Sequence, residues 1–333
     1  MLLEVKNISK HFDISGGFLE KLAFKNGKFV LNKTLVRAVN DVSFDIQRGE
    51  TFSVVGESGC GKSTLGRCIV RLYNINSGNI YFDKNRIDNL NDKEMLQYRK
   101  RMQMVFQDPY ASLNPRKSIK DILTAPLKLH YPDLNDSEIE DRAADTLKLV
   151  GGDTAWFQRL PHEFSGGQRQ RISIARALVV DPEFIVADEP ISALDVSIQA
   201  QIINLLMDAQ EKKGLTYLFI AHDLSVVEHI SNKVLVMYLG RICELSDTET
   251  LFSDPLHPYT KVLFSAIPRL GKPINAHITL SKSEVPTPIN LPSGCVFHGR
   301  CKYSNDRCKK EIPKLVPMKN RLIACHGVEE GRI

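Results

Sequence analysis

The sequence predicts an α/β fold built on a mostly parallel sheet. Two observations carry this: over the first two thirds of the 333 residues, short β-rich apolar runs alternate with helix-like segments, and each run stops at a polar or glycine-rich turn. The composition agrees, with 43% hydrophobic and 25% charged residues, which gives apolar material for a core and argues against disorder or a fibre. The length suits one large domain or two unequal ones. No apolar run approaches the roughly 18 residues needed to span a bilayer. The opening MLLEVKNISKHFD puts Glu4, Lys6 and Lys10 where a signal segment would be apolar, so a soluble, non-secreted protein is expected.

In chain order, residues 13–35 carry two tandem glycines, several lysines and no sustained period, which reads as a surface insertion of hairpin type. The candidate core strands are TFSVVG ending at Gly56, MQMVF ending at Phe106, FIVAD ending at Asp188 and TYLFIAH ending at His222. In open α/β sheets ligands gather beyond the carboxyl ends of the strands, so these four turns are expected to converge on one site. Between Asp108 and Phe164 apolar residues recur at three- and four-residue spacing, which predicts a small helical subdomain. After residue 254 prolines multiply (Pro255, Pro258, Pro268, Pro273, Pro286, Pro288, Pro292), marking an extended, irregular connection. The expected division is therefore 1–254, with its helical subdomain at about 108–165, and an extension over 255–333. The net charge of +5 is too mild to argue for nucleic acid. Residues 293–333 hold nine Lys/Arg against four Asp/Glu, which equals the whole excess.

The chemistry starts at Gly56-Glu57-Ser58-Gly59-Cys60-Gly61-Lys62-Ser63-Thr64, which fits G-x-x-x-x-G-K-[ST] directly after a strand and before the helix-like STLGRCIVRL. Glycines let the backbone curl so that its N–H groups face phosphate oxygens; Lys62 adds a point charge and Ser63 a hydroxyl for Mg²⁺. The alternative is a mere glycine-rich turn. FIVADE ends in two carboxylates, of which Asp188 suits a metal, directly or through water, and Glu189 suits polarising a water; an acidic surface turn is the plain alternative. Ser165-Gly166-Gly167-Gln168 opens the helix-like RQRISIARALVV and offers a second anion-suited helix start, one placed to close over a nucleotide held by another subunit.

Together these motifs make the chain resemble ABC-transporter ATPase subunits over roughly residues 1–250. The resemblance implies a P-loop NTPase of ABC type: a RecA-like parallel core, an antiparallel β subdomain and a helical signature subdomain, with ATP and Mg²⁺ as cofactors. It also implies that Phe12 stacks on adenine and that Gln107, in VFQDPYASLNP, senses Mg²⁺ and the γ-phosphate. Asp195, in SALD, would link two sites across a dimer, and His222 would contact the γ-phosphate. Each has a bland alternative: a core Phe12, a surface Gln107, Asp195 as an N-cap and His222 as an ordinary strand-end residue. Phe164 stands where many members have leucine.

VGESGCGKSTLGR, QMVFQDPYASLNPR and PLHPYTKVLFSAIP further resemble the F-type ATPases of oligopeptide and dipeptide permeases. That branch implies a D-type ATPase partner, two membrane permeases, an extracytoplasmic peptide-binding protein and a peripheral place on the cytoplasmic face of the membrane. Cargo of a related kind, such as nickel or glutathione, and a non-transport ABC ATPase of repair or translation are the rivals. Finally, Cys295, Cys301, Cys308 and Cys325 crowd the last 39 residues. Gaps wider than zinc sites favour lean toward an iron–sulfur cluster, with zinc or unligated thiols as alternatives. The branch resemblance points to [4Fe–4S].

Overall fold

The computed structural model describes residues 1–15, 22–25, 28–31, 34–192, 194–265 and 286–333. They form two compact units, each discontinuous in sequence: Met1–Leu2, Ile46–Ser53 and Asn89–Asn232 make the first, and Leu3–Asp45, Val54–Asp88 and Lys233–Ile333 the second.

The first unit is the α/β part. Strand Phe184–Asp188 lies between Met102–Val105 and Thr216–Ile220 and pairs parallel with both, so that Phe184 faces Met102 on one side and Thr216 on the other. All five residues of Phe184–Asp188 and all five of Thr216–Ile220 are buried, which is why they read as unbroken apolar runs rather than alternating ones. Helix Gly166–Leu178 packs on strand Met102–Val105 and on helices Pro109–Ser112, Ile119–His130, Asp136–Leu149 and Val196–Lys213. Local chemistry sets the helix ends. Asn135 with Glu138, and Ser165 with Gln168, form reciprocal capping boxes, and Gly214 closes Val196–Lys213 in the left-handed region at φ +64°.

The second unit contains an antiparallel sheet in the order Leu35–Ile46, Leu3–Asp13, Ser77–Phe82, Asn85–Arg86. The expected hairpin in 13–35 has its counterpart in Leu22–Lys25 paired antiparallel with Lys28–Leu31. A second antiparallel set starts from the hairpin Lys233–Tyr238 and Arg241–Asp247. Arg321–Ile323 adds to its edge and Val316–Met318 adds outside that, so the C-terminal segment is annealed to the unit by main-chain pairing. Leu256, Ile323 and Val328 pack together under this edge, with Met318, Cys325 and Ile333 against them.

Part of the proline-marked stretch corrects the sequence reading. Pro258–Ser265 is a helix with Pro258, Tyr259, Thr260 and Phe264 buried, not an irregular connection. Proline is tolerated in a first helical turn, where its missing N–H would be unpaired anyway, so Pro258 starts the helix rather than breaking it. Pro268 and Pro273 lie outside the described residues. Among the described residues no helix is long and apolar enough to cross a membrane.

Candidate functional site

The glycine-rich loop joins strand Thr51–Val55 to helix Lys62–Ile69, and from Gly56 onward it belongs to the second unit. Its ends require glycine. A Cβ on Gly56 (φ +154°) would stand 2.1 Å from the Met237 carbonyl oxygen, and one on Gly61 (φ +108°) 1.9 Å from that of Ala38. Gly61 caps the helix without a side chain, and no acid occupies the first turn, so the helix start is left to an anion. Lys62 is buried, and its Nζ donates to the carbonyls of Gly56 at 2.8 Å and Glu57 at 3.1 Å. Ser58 and Gly59 are exposed, and Ser63 and Thr64 are half-buried. Burial pushes the Cys60 thiol up, which makes it a neutral packing group and not a nucleophile.

Sequence reasoning missed what holds Glu57. Its N–H donates to Tyr259 Oη at 2.8 Å, and its carboxylate accepts from Arg300 Nη1 at 2.9 Å and Nη2 at 3.0 Å. These partners lie 202 and 243 residues away, and no local pattern announces them. Phe12 is half-buried rather than sealed in the core; its ring meets Tyr73 edge-on at 5.4 Å, with Lys10 Nζ 4.9 Å from its centroid.

In the first unit, three of the four expected strand ends meet. Gln107 Nε2 donates to Glu189 Oε2 at 2.8 Å, and His222 Nδ1 stands 3.5 Å from the same oxygen. Glu189 follows the fully buried Asp188 and sits at φ +46°, in the left-handed region that a non-glycine residue seldom adopts; its N–H donates to Ile220 O at 2.9 Å. Its carboxylate is mostly covered, whereas His222 is 59% exposed. A buried strand thus ends in one acid inside and one at the rim, with an amide and an imidazole on the latter.

Ser165 caps helix Gly166–Leu178: its Oγ accepts from Gln168 N–H, and Gln168 Oε1 accepts from Ser165 N–H at 3.0 Å. Ser165 is exposed and Gly166, Gly167 and Gln168 are half-buried, so this helix start faces outward. A Cβ on Gly167 would stand 2.6 Å from Ile198 Cγ2. Phe164 is buried against Trp156, ring centroids 5.1 Å apart, so its departure from leucine is absorbed by packing and leaves Ser165 undisturbed. Asp195 occupies the N-cap position of Val196–Lys213 but makes no side-chain capping bond and is exposed.

The tail cysteines share a neighbourhood in the second unit. Cys308 is buried and Cys295, Cys301 and Cys325 are half-buried. Burial raises the thiols of Cys301 and Cys325 and pushes Cys295 up to about 12, and neighbouring thiols add to each shift. Backbone N–H groups of Phe297, Tyr303, Gly327 and Val328 work the other way, as donors toward sulfur do. Arg332 Nη2 lies 3.9 Å from Cys308 Sγ. Among the described residues, however, no three His, Cys, Asp or Glu side chains form a group able to hold a metal ion. The side chains as they stand therefore lend no support to the four-thiolate cluster expected from the sequence.

The family described as "ABC transporter" matches residues 39–192, and the one described as "Oligopeptide/dipeptide transporter, C-terminal region" matches residues 243–308. The oligopeptide transport ATP-binding protein AppF of Bacillus subtilis is 48% identical over 98% of this chain and 97% of its own length. The dipeptide transport ATP-binding protein DppF of Haemophilus influenzae is 45% identical over 98% of this chain and 97% of its own. Among solved structures, the dimeric ATP-binding cassette MJ0796 bound to ADP and Pi superposes with a TM-score of 0.63 at 27% identity, covering 74% of this chain and 99% of that one.

Proposed function

Because the chain belongs to the ABC transporter ATP-binding family, in its oligopeptide and dipeptide transport branch, we propose that its ATPase powers a peptide importer. In this reading it pairs with a homologous D-type ATPase beneath two permease subunits on the cytoplasmic face of the membrane, and an extracytoplasmic binding protein delivers the peptide. The names of its relatives support the cargo, and the dimeric state of the similar cassette supports the pairing.

Each residue has a role in that reading. The amides of Gly56–Thr64 and Lys62 take the β- and γ-phosphates, and the half-buried ring of Phe12 takes adenine. Ser63, Gln107 and Asp188 each offer an oxygen donor suited to a hard cation. When bound there, Mg²⁺ neutralises charge on the phosphates. Glu189 accepts the proton of the attacking water at its rim carboxylate, Gln107 holds that carboxylate through its amide nitrogen, and His222 reaches the γ-phosphate. The exposed Ser165–Gln168 helix start and the uncapped Asp195 meet the ATP held by the other subunit, so that closure depends on the γ-phosphate and reopening follows its loss. The observation that carries this is Glu189 at φ +46° on a buried strand end, holding Gln107 and His222 on one oxygen.

The four cysteines form a metal cluster of the iron–sulfur kind in the same reading, favoured by four thiols and several N–H donors in one neighbourhood. Iron and sulfide analysis of protein purified without oxygen tests it; metal-free protein with four free thiols overturns it. The transport reading is tested in membranes carrying the companion subunits. Lys62→Ala is expected to abolish ATP-driven uptake of labelled di- and oligopeptides. Uptake that persists, or co-purification with ribosomes or DNA in place of permeases, overturns it.

A further inference from the structure

We infer that the C-terminal segment positions the phosphate loop: Arg300 and Tyr259 hold Glu57, and through it the Lys62 ammonium, in the form that binds nucleotide. The inference rests on the ATPase reading above. Three groups of Glu57 are engaged at once. Its N–H donates to Tyr259 Oη, its carboxylate takes both Nη atoms of Arg300, and its carbonyl accepts from Lys62 Nζ. A displaced Glu57 therefore shifts both an amide of the loop and the partner of its charge.

The clasp is built into a sealed aromatic cluster. Tyr238, Tyr259 and Phe297 are buried, with ring centroids 4.6 Å apart for Tyr238–Tyr259 and 5.4 Å for each of the other two pairs. Arg300, 7% exposed, lies against the rings of Tyr238 and Phe297 and donates through Nη1 to Tyr238 Oη at 3.1 Å. A planar guanidinium in such surroundings is strongly held to a carboxylate that it meets with both nitrogens.

Arg300 also belongs to the single helical turn His298–Arg300 between Cys295 and Cys301. That turn is tied at its start by His298 N–H to Cys295 O at 3.0 Å, and Cys295 N–H is tied to Cys308 O at 2.8 Å. The conformation of the cysteine-bearing loop thus sets where the guanidinium sits. Arg300 and Tyr259 act through Glu57 as positioning residues.

Binding of a fluorescent mant-ATP probe with Mg²⁺ to the full chain tests this, together with kcat and KM for ATP and the melting temperature without nucleotide. Tyr259→Phe keeps the ring and removes only the acceptor; Arg300→Met removes the clasp; Arg300→Lys restores the charge with a single contact. Tyr259→Phe and Arg300→Met are each expected to weaken mant-ATP binding about tenfold, with Arg300→Lys between them and the wild type. In a Glu57→Gln background Arg300→Met is expected to add less than about twofold, which an unrelated packing defect would not reproduce. If Arg300→Met fails to fold, Tyr259→Phe decides. Variants that bind as the wild type does, or an Arg300→Met effect of equal size in both backgrounds, overturn this inference alone. A wild-type chain that binds no mant-ATP overturns the ATPase reading and this inference with it.

Discussion

Glu244 anchors the C-terminal segment, and its neutralisation is expected to destabilise the protein measurably. Its side chain is fully buried and that of Arg321 is 3% exposed. One carboxylate oxygen accepts from Leu256 N–H at 3.0 Å and Arg321 Nη1 at 3.1 Å, and the other from His257 N–H at 3.0 Å. Glu244→Gln preserves the shape but points an NH₂ group at one of these donors and leaves the buried guanidinium to the Asp254 carbonyl and that residue's more exposed carboxylate, 3.6 Å away. Breaking a buried pair from one side costs about 3–5 kcal/mol. At about 2 °C per kcal/mol for a long chain, the melting temperature should fall by about 6–10 °C. Urea unfolding followed by circular dichroism measures the loss, and a cycle with Arg321→Met isolates the pair. The loss in the double variant Glu244→Met/Arg321→Met should be at least about 2 kcal/mol smaller than the sum of the losses in Glu244→Met and Arg321→Met, because two apolar groups strand no charge. A loss below about 1 kcal/mol for Glu244→Gln, or single losses that simply add, would refute the reasoning.

Two further outcomes follow from the geometry. Burial holds His257 neutral, with its pKa lowered from 6.5 to about 3, so below pH 6.5 the unfolded chain binds a proton that the folded one does not. Its contribution is fully present above pH 6.5 and is lost as pH falls toward 3, at about 1.4 kcal/mol per unit; His257→Asn should flatten the urea-unfolding profile between pH 6.5 and 4 by that slope. Gly61→Ala would drive a methyl group into the Ala38 carbonyl at a positive φ, and should abolish mant-ATP binding; binding retained within about twofold would show that the loop tolerates the shift.

Much of this arrangement was legible in the chain. Thr51–Val55, Phe184–Asp188 and Thr216–Ile220 announce themselves because strands covered on both faces are apolar throughout. Ser165 and Gln168 announce a helix start because the capping box is local. What stayed hidden depends on chain segments far apart. Nothing around Gln107 says that its amide reaches Glu189, 82 residues on, and nothing around Arg300 says that it clasps Glu57. The prolines near residue 255 misled because proline marks a helix start as readily as a break. The cysteine spacing counts thiols but does not aim them.

Pairing driven by nucleotide tests the central claim most directly. Light scattering on Glu189→Gln chains, mixed with the companion ATPase where one is present, should show a stable pair with Mg²⁺ and ATP and separate chains with ADP, while hydrolysis falls at least about a hundredfold. Chains that stay apart with saturating ATP, or a variant that hydrolyses ATP at the wild-type rate, would contradict it.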